Sequence, residues 1–214
     1  MNKKDWIAFG IVALTFLIGI SLYSSFPEKM ASHWNETGQV DGYLSKFWGT
    51  FLFPMINLGL LGLFILIPEI AVFKLNIKKF KKEFDNFKLI FVGFMSYVYL
   101  ATLFANLGYD FSMNYIMAPA MFLLFYYVGH LTMKSKRNFF IGIRTPWTLA
   151  NDKVWEKTNR IGGRLLQVLG VIMLIGLLVK GQFISIILGS VFLFVIFIFV
   201  YSYLEYRKYP KKNI

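Results

Sequence analysis

The sequence predicts an all-α integral membrane protein of six transmembrane helices, with both termini in the cytoplasm. Three observations carry this. Only 16% of the residues are charged, against roughly 25% in an ordinary soluble domain. Six stretches lack Asp, Glu, Lys and Arg altogether: Trp6–Pro27, Phe47–Pro68, Leu89–Tyr109, Phe111–Met133, Leu165–Val179 and Gly181–Leu204. The cations that remain gather in every second connection between those stretches.

Five of the stretches are 21 to 24 residues long, and about 20 apolar residues in a helix cross a hydrocarbon core of about 30 Å. Backbone N–H and C=O groups find no water there, so each stretch must close its hydrogen bonds internally. Leu165–Val179, with 15 residues, gives only about 22 Å of helix. Arg164 and Lys180 can snorkel from its ends, and Ile161-Gly162-Gly163 can extend it. A re-entrant segment is the competing reading, but it would place Arg207, Lys208, Lys211 and Lys212 outside. With the N-terminus inside, the inner segments hold twenty Lys and Arg and the outer loops three, Lys29, Lys46 and Lys180. Short basic loops stay cytoplasmic. The net charge of +12 is therefore a topology signal, and direct nucleic-acid binding is not expected.

The expected helices are 6–26, 47–70, 89–107, 115–133, 164–179 and 183–206. They are joined by an outer loop (27–46), an inner segment (71–88), a short outer loop (108–114), a long inner loop (134–163) and a tight outer turn at Lys180-Gly181-Gln182. Residues 1–70 read as an N-terminal membrane domain, and 71–214 as a second one carrying an inner motif at 142–163. Lys3 and Lys4 precede an apolar run as in a signal peptide. No small-x-small pair follows around Ser21–Phe26, so an uncleaved anchor is expected. The chain has no cysteine, which excludes disulfides and thiolate metal sites.

In the outer loop, Glu36-Thr37-Gly38 suits a three-residue turn with Gly38 in the left-handed region. Met30–Asn35 and Gln39–Tyr43 then form a small extracellular β-hairpin. A His, three acids and a Lys here invite an active-site or metal reading, but one His with scattered carboxylates supplies neither the ligand set of a zinc site nor a nucleophile with its base and orienter. A structural hairpin with an interfacial Trp34 is expected. Its candidate ligand contacts are His33, Trp34, Asn35, Gly38, Asp41, Gly42 and Lys46.

The inner segment Lys74–Lys88 places Ile77, Phe80, Phe84 and Phe87 on one helical face and lysines on the rest. It is expected to lie as an interfacial helix against anionic lipid. In the inner loop, Pro146 forces Thr145 out of the helical region. Thr148 or Asn151 can cap a second short interfacial helix, Asn151–Arg160. Trp147 and Trp155 suit the membrane interface, and Gly162-Gly163 end that helix or allow close packing. Arg144 is expected to pair with Asp152 or Glu156, or else to meet lipid phosphate. Asn57, Glu69, Asn106 and His130 are the intramembrane polar groups; a transporter or lipid-binding protein would use them. Phosphate-loop, metalloprotease, nucleophile-elbow and dinucleotide motifs are absent from the sequence. Neither an enzyme nor a cofactor is expected.

Two stretches resemble known sequence. Gly142–Leu149, continued by Val154-Trp155 and by Thr158, Asn159, Arg160, Ile161, Gly162 and Gly163, is similar to the signature of the SdpI family. The namesake of that family is a bacterial immunity protein against a secreted, sporulation-delaying killing peptide. Pro27, His33-Trp34-Asn35, Gly38, Asp41-Gly42-Tyr43 and Ser45-Lys46, with Pro54, resemble a domain of unknown function often joined to it. The resemblance implies a multi-pass plasma-membrane protein that protects its producer from a membrane-active peptide. It also implies signalling, in which the protein holds a small cytoplasmic autorepressor at the membrane when toxin is present.

Overall fold

A computed structural model describes residues 1–179 and 182–209. Lys180 and Gly181 of the expected outer turn, and Lys211 and Lys212, lie outside the described residues. Helix α1 (Lys3–Leu22) opens with Asn2, whose side chain accepts from the amides of Lys4 and Asp5 while the Asp5 carboxylate accepts from Asn2 N. Strands β1 (Lys29–Trp34) and β2 (Val40–Ser45) pair antiparallel, with Lys29 opposite Ser45 and Trp34 opposite Val40. The remaining elements are α2 (Lys46–Ile70), α3 (Lys74–Lys78), α4 (Lys81–Asn106), α5 (Met113–Lys134), α6 (Pro146–Ala150), α7 (Asp152–Gly176) and α8 (Phe183–Arg207).

The hairpin turn is as expected. Gly38 has φ +83°, and the Asn35 side chain accepts from Thr37 N at 3.0 Å and Gln39 N at 2.9 Å. Five helices, α1, α2, α4, α5 and α8, are long and apolar enough to cross a membrane.

Two expectations change. Asn151–Arg160 is not a separate interfacial helix; it is the start of α7, which runs unbroken through Gly162 and Gly163 for 25 residues, about 37 Å. The glycines do not stop the helix because both are packed against neighbours. A Cβ on Gly163 would stand 2.5 Å from the Gly129 carbonyl oxygen, and one on Gly162 would strike Ile143. Lys74–Lys88 is likewise not one helix. It breaks at Lys79-Phe80, and its second half opens α4. Its apolar face does not lie on lipid, because Ile77, Phe80 and Phe84 are buried in a core with Ile67, Ala71 and Leu131.

The helices form two triads, α1–α2–α4 and α5–α7–α8, with α4 packed on α5 and α6 lying across α7 and α8. The first triad has a mid-bundle core of Ala8, Val12, Leu61 and Val92. At the hairpin end, Phe26, Met30, Tyr99 and Leu103 join the hairpin to it. The closest packing is α5 on α7, where Gly129, Gly163 and Gly170 let the backbones approach.

Candidate functional site: a clamped loop and helix at one end of the bundle

Residues 135–151 wrap back onto the first turns of α7, at the end of the bundle opposite the hairpin. The wrapping follows from side chains that replace a missing backbone ladder. Asn138, fully buried, accepts from the amides of Phe140 and Ile141 at 2.7 Å each and donates to the Ile141 carbonyl. Gly142 then takes φ +108°. A side chain there would collide with Asn159 and Ser135, so the glycine serves both the turn and the close approach. Asn159 accepts from Ile143 N at 2.7 Å, and Trp155 donates its indole N–H to Ser135 O at 3.1 Å.

Thr145 caps α6: its hydroxyl accepts from Thr148 N, and the Thr148 hydroxyl accepts from Thr145 N at 2.8 Å. Thr148 is thus the partner inside this cap, and Asn151 is the residue that caps α7. Pro146 sits at the first helical position, where its missing N–H costs nothing. Arg137 fastens the segment from below, donating to Leu149 O at 3.0 Å and standing 2.8 Å from Asp152.

The signature residues therefore divide. Thr145, Thr148, Trp155, Asn159, Gly162 and Gly163 are buried and build the motif. Trp155 is a core residue at 1% exposure, correcting the interfacial expectation; its N–H has a protein partner and needs no water. Trp147 is half-buried against the rings of Phe199 and Tyr203, 4.8 and 5.1 Å away. Arg144, Pro146 and Arg160 are exposed. Arg144 pairs with neither Asp152, which Arg137 takes, nor Glu156, which Arg160 holds at 2.8 Å. Its guanidinium donates to the Phe139 carbonyl instead.

At the hairpin end, His33 Nδ1 lies 2.5 Å from Asp41 Oδ1 in an exposed pair. Among the described residues no cluster of three metal-binding side chains occurs. Trp34 and Asn35 are half-buried, and Gly42 lies opposite His33, whose Cβ leaves no room for another side chain there. Lys46 stacks its ammonium on Tyr23 and stands 3.6 Å from Glu28. Ser32, His33 and Trp34 roof a cavity of about 320 Å³ whose floor includes Met113, Met117 and Met121 of α5.

The four intramembrane polar groups are not brought together into one site. Asn106 pins the hairpin, exchanging two hydrogen bonds with Ala31. Asn57 donates to Val92 O and Ser96 at 3.3 Å. Glu69 is exposed, and His130 lies against the Tyr127 ring.

Two charged clusters escaped the sequence reading. Lys88, 2% exposed, sits between Asp5 and Asp85, with Asp85 at 2.9 Å. Asn2 also donates to Asp85. Glu205, equally buried, joins α7 to α8 by meeting Lys157 at 2.5 Å and Lys208 at 2.8 Å. A carboxylate isolated among lysines at the end of an apolar helix was a signal for Glu205. Nothing in the sequence linked Asp5 to Lys88 across 83 positions.

Fold and motif together define a multi-pass membrane protein that displays a self-bonded loop at one end and a small hairpin at the other. Residues 134–202 match the model of the SdpI/YfhL protein family, and residues 10–58 match a domain of unknown function. The chain is 28% identical to the Immunity protein SdpI of Bacillus subtilis (strain 168), over 99% of this chain and 98% of that one. The stretch from the signature loop into α8 is thus similar to the SdpI/YfhL family. No solved structure matches it.

Proposed function

We propose that this chain protects its producer against a membrane-active peptide and, with peptide present, holds a small transcriptional repressor at the membrane. The likeness to an immunity protein, running the length of both chains, carries the reading. In it α7 is the sixth span, which its length supports, and both termini face the cytoplasm. The crowding of Lys and Arg at the motif end supports that orientation. The hairpin of residues 27–46 then meets the arriving peptide, and the motif of 142–163 meets the repressor. Neither step needs catalysis or a cofactor.

Within the motif, Arg144 and Pro146 are exposed to a partner, whereas the buried signature residues are engaged in holding the loop. Arg144→Ala is therefore the diagnostic variant, since its loss exposes no cavity. Membrane abundance should stay near wild type while repressor recruitment falls at least tenfold. Trp147→Ala, which strips a contact with α8, should lower both. Wild-type recruitment and protection by Arg144→Ala would return the loop to the status of a connector.

A further inference from the structure

We infer that the corner between α2 and α3, together with the signature loop, forms a composite site for anionic phospholipid headgroups. Two basic segments some sixty positions apart are docked here. The Phe73 ring stacks on Phe139 with centroids 5.3 Å apart, the Arg137 guanidinium lies 5.5 Å over Phe73, and Asn76 donates to the Arg137 carbonyl at 2.8 Å. Around this joint, Lys74, Lys78, Lys79 and Lys136 are all exposed. None of them pairs with a carboxylate among the described residues, whereas nearby Lys81, Lys88 and Arg137 do.

The apolar residues decide the occupant. Val72 is 77% exposed and Leu75 74%, on either side of Lys74 and directly beyond the membrane-spanning α2. They and Ala71, Phe73 and Asn76 line a recess of about 380 Å³. Bare aliphatic side chains interleaved with unpaired lysines at the end of a span match a headgroup and the first carbons of its acyl chains. An acidic protein segment would match the lysines and leave Val72 and Leu75 in water. The lipid contact therefore falls on this corner, and the apolar face of Ile77, Phe80 and Phe84 has no part in it. The occupant is a phosphodiester headgroup of the adjacent leaflet.

The test uses the full chain in nanodiscs of phosphatidylcholine with or without phosphatidylglycerol, with phosphatidylglycerol retention read by native mass spectrometry after extraction. The triple variant Lys74→Gln/Lys78→Gln/Lys79→Gln should retain phosphatidylglycerol roughly 100-fold less tightly, at about fivefold per lysine. Val72→Ser/Leu75→Ser should weaken retention with the charge unchanged. A charge-matched control, Lys3→Gln/Lys82→Gln/Lys153→Gln, should retain lipid as wild type does. Thermal unfolding of each variant verifies the fold. Equal loss in the control triple, unchanged retention in the site triple, or displacement by inorganic phosphate would overturn the site. So would binding of an acidic peptide that Val72→Ser/Leu75→Ser leaves intact.

Discussion

Asn159 on α7 holds Ile143 in the loop by both of its backbone groups: its Oδ1 accepts from Ile143 N, and its Nδ2 faces Ile143 O. One side-chain amide thus does the work of a strand partner for a segment that has none.

Asn159→Leu should consequently release the loop and leave α7 itself in place. Each buried backbone group left without a partner costs about 1–3 kcal/mol. Amide exchange at Ile143 should accelerate at least tenfold, with the middle of α7 still protected. Unchanged protection at Ile143 would mean that the Thr148 hydroxyl, which donates to the Ile143 carbonyl at 2.9 Å, keeps the segment in place without Asn159.

Gly129 and Gly163 should tolerate no side chain. Gly163→Ala forces α5 and α7 apart, and overpacking of this kind costs about 1–3 kcal/mol. Gly93→Ala and Gly189→Ala, where nothing lies within 4 Å, are the matched controls. Detergent melting temperatures should fall for the first and hold for the other two.

Lys88→Met would strand the carboxylates of Asp5 and Asp85 in a buried place. Removing one partner of such a group costs about 3–5 kcal/mol, and membrane abundance should drop. Asp5→Asn/Lys88→Met should recover part of it, since one stranded charge is gone. Equal instability of the single and double variants would argue against the pairing.

Glu36 should make the hairpin tip sensitive to acid. Its carboxylate accepts from the amide of Ser185 at 3.0 Å, and the Ser185 side chain first and this amide second, opposed by burial, hold its pKa below the ordinary 4.5. A depressed carboxylate pKa means the contact contributes above the unfolded-state value and is lost as pH falls through the folded one. Protection of the Ser185 amide, corrected for intrinsic exchange, should therefore fall as pH drops through the lowered pKa of Glu36. Glu36→Gln should flatten the profile.

Much of this was legible from the residues. The uncharged stretches located the apolar helices, and Glu36-Thr37-Gly38 located the hairpin because a left-handed glycine is a local requirement. What failed to read were long-range contacts. Gly162-Gly163 looks like a helix end in isolation, and only Gly129, Ile143 and Ile198 from elsewhere explain why α7 continues. Trp155 looks interfacial until Ser135 supplies its acceptor. Arg137, not Arg144, meets Asp152, and spacing could not rank two arginines seven positions apart.

The hairpin straddles the seam between the triads. Its base is tied to α4 through Asn106 and Ala31, and its tip to α5 and α8 through Asn114, Ser185 and Glu36. It works as a fastener with a strong hinge and a weak catch. The hinge side has two amide bonds and a buried Met30, while the catch has two hydrogen bonds near water. Were the halves of the bundle to part at this end, the tip would let go first, and the strap would stay with the amino-terminal half.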